Sequence, residues 1–367
     1  MAHCREGALG FNQAQCQGCG HREWYASSCG DRHCPACLGP RQAQWSEQVC
    51  GRLPDCPHFH VVFTVPEEFH DFFEGNYRIA AGALFGAAAE TLKCFQKNNW
   101  EMEGGFFGVL HTWGSALNWH PHLHVLVSGG GVCRRTGRWK QARPDYLFAV
   151  RALSKVFRAI MLRRVEALDG EASIRWPAGL ESVEARRDWR VKLATRNWNI
   201  FSKPTLGNTR AVVRYLARYT SRIAMSNARI SQVDEERRRV RFRWKNYREG
   251  GRREEREMPA KNFVRAFVRH LVPKGLRRIR YYGWLAGGRG GVGSLPGAPT
   301  RLLGERATPK SPPPCATCGA NHWRYRVFFQ TFNTLDTETR MKQPGNDTTR
   351  CRSSLEGFSL VPARADP

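Results

Sequence analysis

Three clusters of residues in this chain have the types and spacing that chemistry requires. The first is the run His120-Pro121-His122-Leu123-His124-Val125-Leu126-Val127. Side chains of a strand alternate between faces. As a strand, the run sets His120, His122 and His124 on one face and Leu123, Val125 and Val127 on the other. The apolar face belongs to a core, and the histidine face can present two imidazoles side by side to one divalent ion. The same run also reads as a polar strand edge with surface histidines, because imidazole has many structural uses. His58 and His60 sit on an earlier strand-like run, HFHVVFTV (58–65), and His111 on a third. His60 is the candidate for a further ligand, and His111 could also serve. Each equally reads as a satisfied core or edge histidine.

The second cluster is Arg214-Tyr215-Leu216-Ala217-Arg218-Tyr219-Thr220-Ser221-Arg222. On a helix, Tyr215 and Tyr219 share a face one turn apart, with Arg214, Arg218 and Arg222 repeating beside them. A phenol, with its pKa of ~10, is a weak nucleophile at neutral pH. Attack on a phosphodiester therefore needs a metal to polarise the phosphoryl oxygen and arginines to take up its charge. Alone, the tyrosine spacing is ordinary patterning of an amphipathic helix. Its combination with the histidine strand is what points to phosphoryl chemistry.

The third cluster is Cys16-x2-Cys19 and Cys34-x2-Cys37, two knuckles that suit one tetrahedral zinc, with Cys29 as an alternative ligand. A closed zinc site is structural. Cys315-x2-Cys318 resembles half of another site, and with no second knuckle after it reads as an unpaired half-site. The cysteines number 13, an odd count, and the start MAHCREGALG carries no export signal. Metal binding in a reducing cytoplasm is the expectation, not disulfides.

The elements that must position these clusters are legible in part. Strands are expected over 58–65, 105–113 and 120–127, the last stopped by Gly129, Gly130 and Gly131. Helices are expected over Tyr77 to Asn99, 212–224 and Asn262 to Val272, and a strand over 238–247. The 367 residues allow two or three domains, and 41% hydrophobic content excludes a wholly disordered chain. Residues 1–56 read as a small cysteine-rich domain and 57–285 as the core with a basic region. Residues 286–367 read as a linker and a disordered or non-homologous tail. Lys plus Arg number 58 against 32 acids, a net charge of +26, which implies a polyanionic partner, nucleic acid above all. The longest small-and-apolar run, Ile79 to Ala89, is far short of the ~20 residues of a membrane span. Trp198 and Trp244 are candidates for stacking on DNA bases. Lys203, Arg277 and Arg278, with Arg214, Arg218 and Arg222, are candidates for its phosphates.

In order, the chain carries SCGDRHCPAC (28–37), FHVVFTVP (59–66), HTWG…HPHLHVLVSGGG (111–131) and RYLARYTSRIAMSNARI (214–230). FRWKNYR (242–248) and HLVPKGLRRIRYYG (270–283) follow. Over about residues 4 to 285 it resembles the two-tyrosine HUH transposases of rolling-circle insertion sequences. The resemblance implies an α+β fold, an antiparallel HUH-type sheet with flanking helices, preceded by a small zinc-binding domain. It implies that His122 and His124 hold magnesium or manganese. Tyr215 and Tyr219 would form 5′-phosphotyrosine links to single-stranded or hairpin DNA at the element ends, in a bacterial nucleoid. Family members usually carry more residues upstream, so the zinc domain is expected to be shortened at its start. Two alternatives stand beside this reading: a replication initiator or relaxase with the same chemistry, and a catalytically inactive zinc-containing DNA-binding protein.

Overall fold

A computed structural model describes residues 4–31, 34–221, 224–225, 229–246, 249–286, 295–304 and 313–328. Their elements are, in order, β1 (Phe11–Cys16), β2 (Arg22–Ala26), α1 (Pro35–Cys50), β3 (His58–Thr64), α2 (His70–Gly75), α3 (Tyr77–Trp100), β4 (Met102–Trp113), β5 (Trp119–Cys133), β6 (Trp139–Gln141), α4 (Val150–Glu166), α5 (Val183–Thr195), β7 (Ile200–Pro204), α6 (Thr209–Ser221), β8 (Ile230–Asp234), β9 (Arg239–Asn246), β10 (Arg252–Pro259), α7 (Ala260–Val268), β11 (Ile279–Tyr282) and β12 (Trp323–Phe328). They divide into two compact units, one drawn from Met1–Arg41 with Ala307–Pro367, the other from Gln42–Arg306. The expected boundaries at 56 and 286 therefore move. The segment read as a foreign tail contributes β12 to the smaller unit, where it pairs with β1.

The larger unit is built on an antiparallel sheet in the order β11-β4-β5-β3-β7, with β6 paired to β5. Strands β4 and β5 read as almost continuous apolar runs because both faces of the sheet are covered. On one face Phe59, Val61 and Phe63 of β3 and Leu123, Val125 and Val127 of β5 pack under α3 and α4. The small residues of α3, Ala80, Ala81, Ala87 and Ala88 among them, are buried there. Phe157 of α4 sets its ring 4.9 Å from that of Phe63. On the opposite face Phe107 and Val109 of β4 and Leu126 of β5 meet Val213 and Leu216 of α6, with Val49 of α1. Each such side chain contributes roughly 1.5–3 kcal/mol by leaving water. A smaller sheet, β10-β9-β8, packs with α7 around Phe242, Phe263, Trp113 and Leu117.

Strand β5 does not stop at Gly129. It runs through all three glycines to Cys133, pairing with β4 and with β6. A Cβ at Gly131 would run into the Glu103 carbonyl, and one at Gly130 into the Trp139 ring. The glycines are therefore sites of close backbone approach rather than stops.

Two buried histidines, one at the start of β3 and one just after α7, tie this fold to pH. His58, 1% exposed, donates from Nδ1 to the Cys56 carbonyl at 2.8 Å. His270, 0% exposed, lies with Nε2 3.4 Å from the Leu117 carbonyl. Burial lowers both from 6.5 to about 4. The unfolded chain takes up these protons near pH 6.5, and the folded chain refuses them until about 4. Stability is therefore full above pH 6.5 and lost as the pH falls through this window. At 1.36 kcal/mol per unit each histidine costs up to about 3 kcal/mol by pH 4. The urea midpoint is expected to fall steeply between pH 6.5 and 4, and less steeply in His270→Gln. An unchanged slope in that variant would contradict the assignment. No helix among the described residues is long and apolar enough to cross a membrane.

Candidate active site

Register decides which histidines meet. β5 lies between β4 and β3, with His122 opposite His111 of β4 and Thr64 of β3, and His124 opposite Val109 and Val62. His111, His122 and His124 thus share the face that α6 covers, and one ring nitrogen from each lies within 4.8 Å of the others. The Nε2 atoms of His122 and His124 are 3.1 Å apart. His122 donates from Nδ1 to the His120 carbonyl at 2.6 Å, which leaves its Nε2 lone pair for a ligand role. His124 Nδ1 is 2.8 Å from His60 Nε2, the two rings stacked at 5.0 Å. With the proton on His124 Nδ1 donated to His60, the His124 Nε2 lone pair points toward that of His122.

His60 therefore stands behind a candidate ligand rather than beside it. In register it is opposite Leu126, one side-chain repeat beyond His124, whereas His111 is directly opposite His122. The third nitrogen of the group comes from His111, and the expectation for His60 is corrected accordingly. Burial pushes His122 down to about 3 and His111 and His124 well below 6.5. All three imidazoles are neutral at ordinary pH, the form that binds metal.

Helix α6 brings Tyr215 to this face. Its apolar side, Val213 and Leu216, is buried against the sheet, while Arg214 and Arg218 point to solvent. The Tyr215 ring lies 6.1 Å from that of His124 and 6.3 Å from that of His60. The Arg218 guanidinium sits 5.4 Å from the centre of the Tyr215 ring. The backbone at position 219 belongs to α6, but the side chain of Tyr219 and all of Arg222 lie outside the described residues.

Strand β7 extends the same face. Lys203 pairs with His60 and is exposed, and Phe201, opposite Val62, is 53% exposed with its ring 6.4 Å from His60. Phe201 escaped the sequence reading. Its signal was an aromatic two positions before Lys203, on the face opposite buried Ile200. Arg277 is exposed, as a phosphate contact requires. Three other expected DNA contacts turn inward. Trp198 is 3% exposed against Phe69 and Phe157 and donates its indole N–H to the Leu193 carbonyl at 3.1 Å. Trp244 is half-buried in the cluster around Phe242. Arg278 is 8% exposed, its guanidinium 5.9 Å from the Trp113 ring. Basic neighbours along the sequence placed none of these three outside; on β9, Arg243 and Lys245 face the opposite way from Trp244.

In the smaller unit the cysteines gather as two groups of four, Cys4/Cys29/Cys34/Cys37 and Cys16/Cys19/Cys315/Cys318. The expected quartet of Cys16, Cys19, Cys34 and Cys37 is thus divided. Cys29 belongs with the second knuckle, Cys4 completes that group, and Cys315 and Cys318 are not an unpaired half-site. Cys4 and Cys37 sulfurs lie 3.5 Å apart, Cys29 and Cys37 3.8 Å. Each group is a four-sulfur set of the kind zinc accepts.

Residues 105–291 match the family model described as "Putative transposase", and residues 1–65 match "Transposase zinc-binding domain". The protein named "Putative transposase y4qJ", of Sinorhizobium fredii, is 41% identical over 288 residues, 77% of this chain and 72% of the relative. The transposase for insertion sequence element IS801, of Pseudomonas savastanoi pv. phaseolicola, is 32% identical over 292 residues, 78% of this chain and 68% of the relative. A solved structure of the conjugative relaxase TrwC with oriT DNA aligns at 13% identity over 56% of this chain and 88% of that one. Its TM-score is 0.27. The matches to the two relatives, each spanning more than two thirds of both partners, and the two family matches show that the chain belongs to the IS91-type transposases, the two-tyrosine family with a zinc-binding domain at its start.

Proposed function

We propose that this transposase nicks and rejoins single-stranded DNA by attack of Tyr215 on a phosphodiester next to a divalent ion. The observation that carries the reading is the Tyr215 ring beside His124 and His60, at the edge of a three-nitrogen group. His111, His122 and His124 fit a metal, since they are neutral, buried and convergent. A divalent ion bound there supplies Lewis-acid polarisation of the scissile phosphate. The group consists of imidazoles alone. Such a set favours manganese over magnesium, which prefers oxygen donors.

The protein's own residues divide the remaining work. His60 fixes the tautomer and the angle of His124. Arg218, against the Tyr215 ring, and Arg214, one turn earlier, offer positive charge to the phosphate. Lys203 offers charge to the neighbouring backbone, and Phe201 offers a stacking face to a base. Tyr215 Oη loses its proton and bonds to phosphorus, while the bond from phosphorus to the 3′ oxygen breaks. The 3′ oxygen takes up a proton, and the products are a 5′-phosphotyrosine and a 3′-hydroxyl. Because the phosphotyrosine conserves the bond, a 3′-hydroxyl can attack it and rejoin a strand without nucleotide hydrolysis. Tyr219, one turn further along α6, is assigned the second transfer. Cys4, Cys29, Cys34 and Cys37 are assigned a structural zinc. The net charge of +26 supports DNA as the partner, in single-stranded or hairpin form at the element ends.

The test is covalent capture. Labelled single-stranded oligonucleotides spanning the element ends are mixed with protein and manganese or magnesium, then resolved on a denaturing gel. The expected result is a metal-dependent adduct on the 5′-phosphate side. Retained DNA binding with no adduct under either metal would replace this reading with that of a non-catalytic DNA binder.

A further inference from the structure

Two CxxCG turns lie at opposite ends of this sequence and are built alike. One is Cys16-Gln17-Gly18-Cys19-Gly20-His21, the other Cys315-Ala316-Thr317-Cys318-Gly319-Ala320. In the first, the Gly20 N–H donates to the Cys16 carbonyl at 3.0 Å and the Cys16 N–H to the His21 carbonyl at 2.8 Å. In the second, the Gly319 N–H donates to the Cys315 carbonyl at 2.8 Å and the Cys315 N–H to the Ala320 carbonyl at 2.9 Å. Gly20 and Gly319 hold φ of 78° and 73°, the left-handed region that favours glycine. The same turn is closed by the same two bonds at both places.

The fold then sets the two turns face to face. β1 and β12 pair antiparallel from Phe11 opposite Phe328 to Cys16 opposite Trp323. The Gln17 N–H donates to the His322 carbonyl at 2.8 Å. A Cβ at Gly18 would stand 3.1 Å from that of Ala320 and 3.4 Å from the Cys318 sulfur, so the first turn is cut to admit the second. Cys16 and Cys318 sulfurs are 3.6 Å apart, as are Cys19 and Cys315. A disulfide needs about 2.05 Å. Four thiolates at about 2.3 Å from one zinc are separated by about 3.8 Å along each tetrahedral edge. The observed separations match the second geometry. The Gly18 N–H lies 3.4 Å from the Cys16 sulfur, a contact that favours a thiolate.

We propose that Cys16, Cys19, Cys315 and Cys318 form a second, four-thiolate zinc site, half of it supplied by the far end of the chain. The zinc-binding domain matched over residues 1–65 holds two of its ligands and lacks the other two. The proposal is independent of the catalytic reading, since it rests on the smaller unit alone.

Exposure makes the site testable without a mutation. Cys19 and Cys318 are exposed. Burial cannot shield them from an alkylating agent, whereas ligation does. The full chain, loaded with zinc, is treated with iodoacetamide and each cysteine is followed by peptide mass, before and after removal of the metal by a chelator. Cys19 and Cys318 are expected to react at least tenfold faster after chelation, while Cys94, on α3 of the other unit, keeps one rate. Metal analysis is expected to give one zinc ion fewer in Cys315→Ser/Cys318→Ser than in the wild-type chain. Equal rates at Cys318 with and without zinc would overturn the proposal. So would a wild-type chain that holds a single zinc, or a double variant that holds as many zinc ions as the wild type.

Discussion

Tyr215→Phe is expected to abolish first-strand cleavage while leaving the fold and hairpin binding intact. The substitution removes one oxygen. The ring remains, and with it the packing beside Val213 and Leu216 and the contact with Arg218. Stability should therefore change by less than about 1 kcal/mol, in line with volume-conserving changes in packed sites. The chemistry has no such reserve, because the lost oxygen is the atom that bonds to phosphorus. Loss of a covalent nucleophile removes several orders of magnitude, and a fall of at least about 10³-fold in adduct yield is expected. Tyr219 shares the helix one turn on, so the variant Tyr215→Phe/Tyr219→Phe should leave no adduct at all. If Tyr215→Phe cleaves like wild type and Tyr219→Phe does not, the first attack belongs to Tyr219. The place of Tyr215 beside His124 then needs another explanation.

The second large effect separates a ligand from the group that positions it. His122→Ala removes one nitrogen of the convergent three, and nicking is expected to fall by about 10³-fold at any attainable manganese concentration, the scale of several kcal/mol of lost Lewis-acid assistance. His60→Ala removes the hydrogen-bond partner and stacking ring of His124 but leaves the three convergent nitrogens in place. Loss of such an outer partner typically weakens metal affinity by about 10–100-fold. His60→Ala nicking is therefore expected to be poor at low manganese and restored at high manganese. Hairpin binding by both variants should stay within about twofold of wild type, because neither removes a positive charge. Equal rescue of both by added manganese would show that His122 is not a ligand. Failure of both would return His60 to the ligand set.

How far the sequence alone reached follows from what period and spacing can encode. The histidine face of β5 was legible because strand alternation is a local property, and so was the helix that carries Tyr215. The third nitrogen was not. Choosing between His60 and His111 requires the register on both sides of β5, and register is set by packing across the sheet. Helix α4 went unread even though Leu153, Phe157, Ile160, Met161 and Val165 form its buried stripe. The arginines between them gave the segment a basic, patternless look. The cysteines failed for a related reason. Two CxxC motifs fourteen residues apart invite a single site. Nothing local reveals that Cys34 and Cys37 face Cys4, or that Cys16 and Cys19 wait for partners from beyond residue 313.

The pairing of β1 with β12 also sets a timetable. Cys16 and Cys318 are 302 residues apart. At ~5–20 residues per second a ribosome takes roughly 15 to 60 seconds to travel that distance. Through that interval β1 has emerged and β2 can pair with one of its edges, but the other edge has no partner. The sheet carrying the histidines meanwhile has all of its strands by Tyr282 and is free to form. The part of the molecule encoded first is therefore completed last, and an unfinished chain carries an assembled histidine sheet together with an unfinished amino-terminal module.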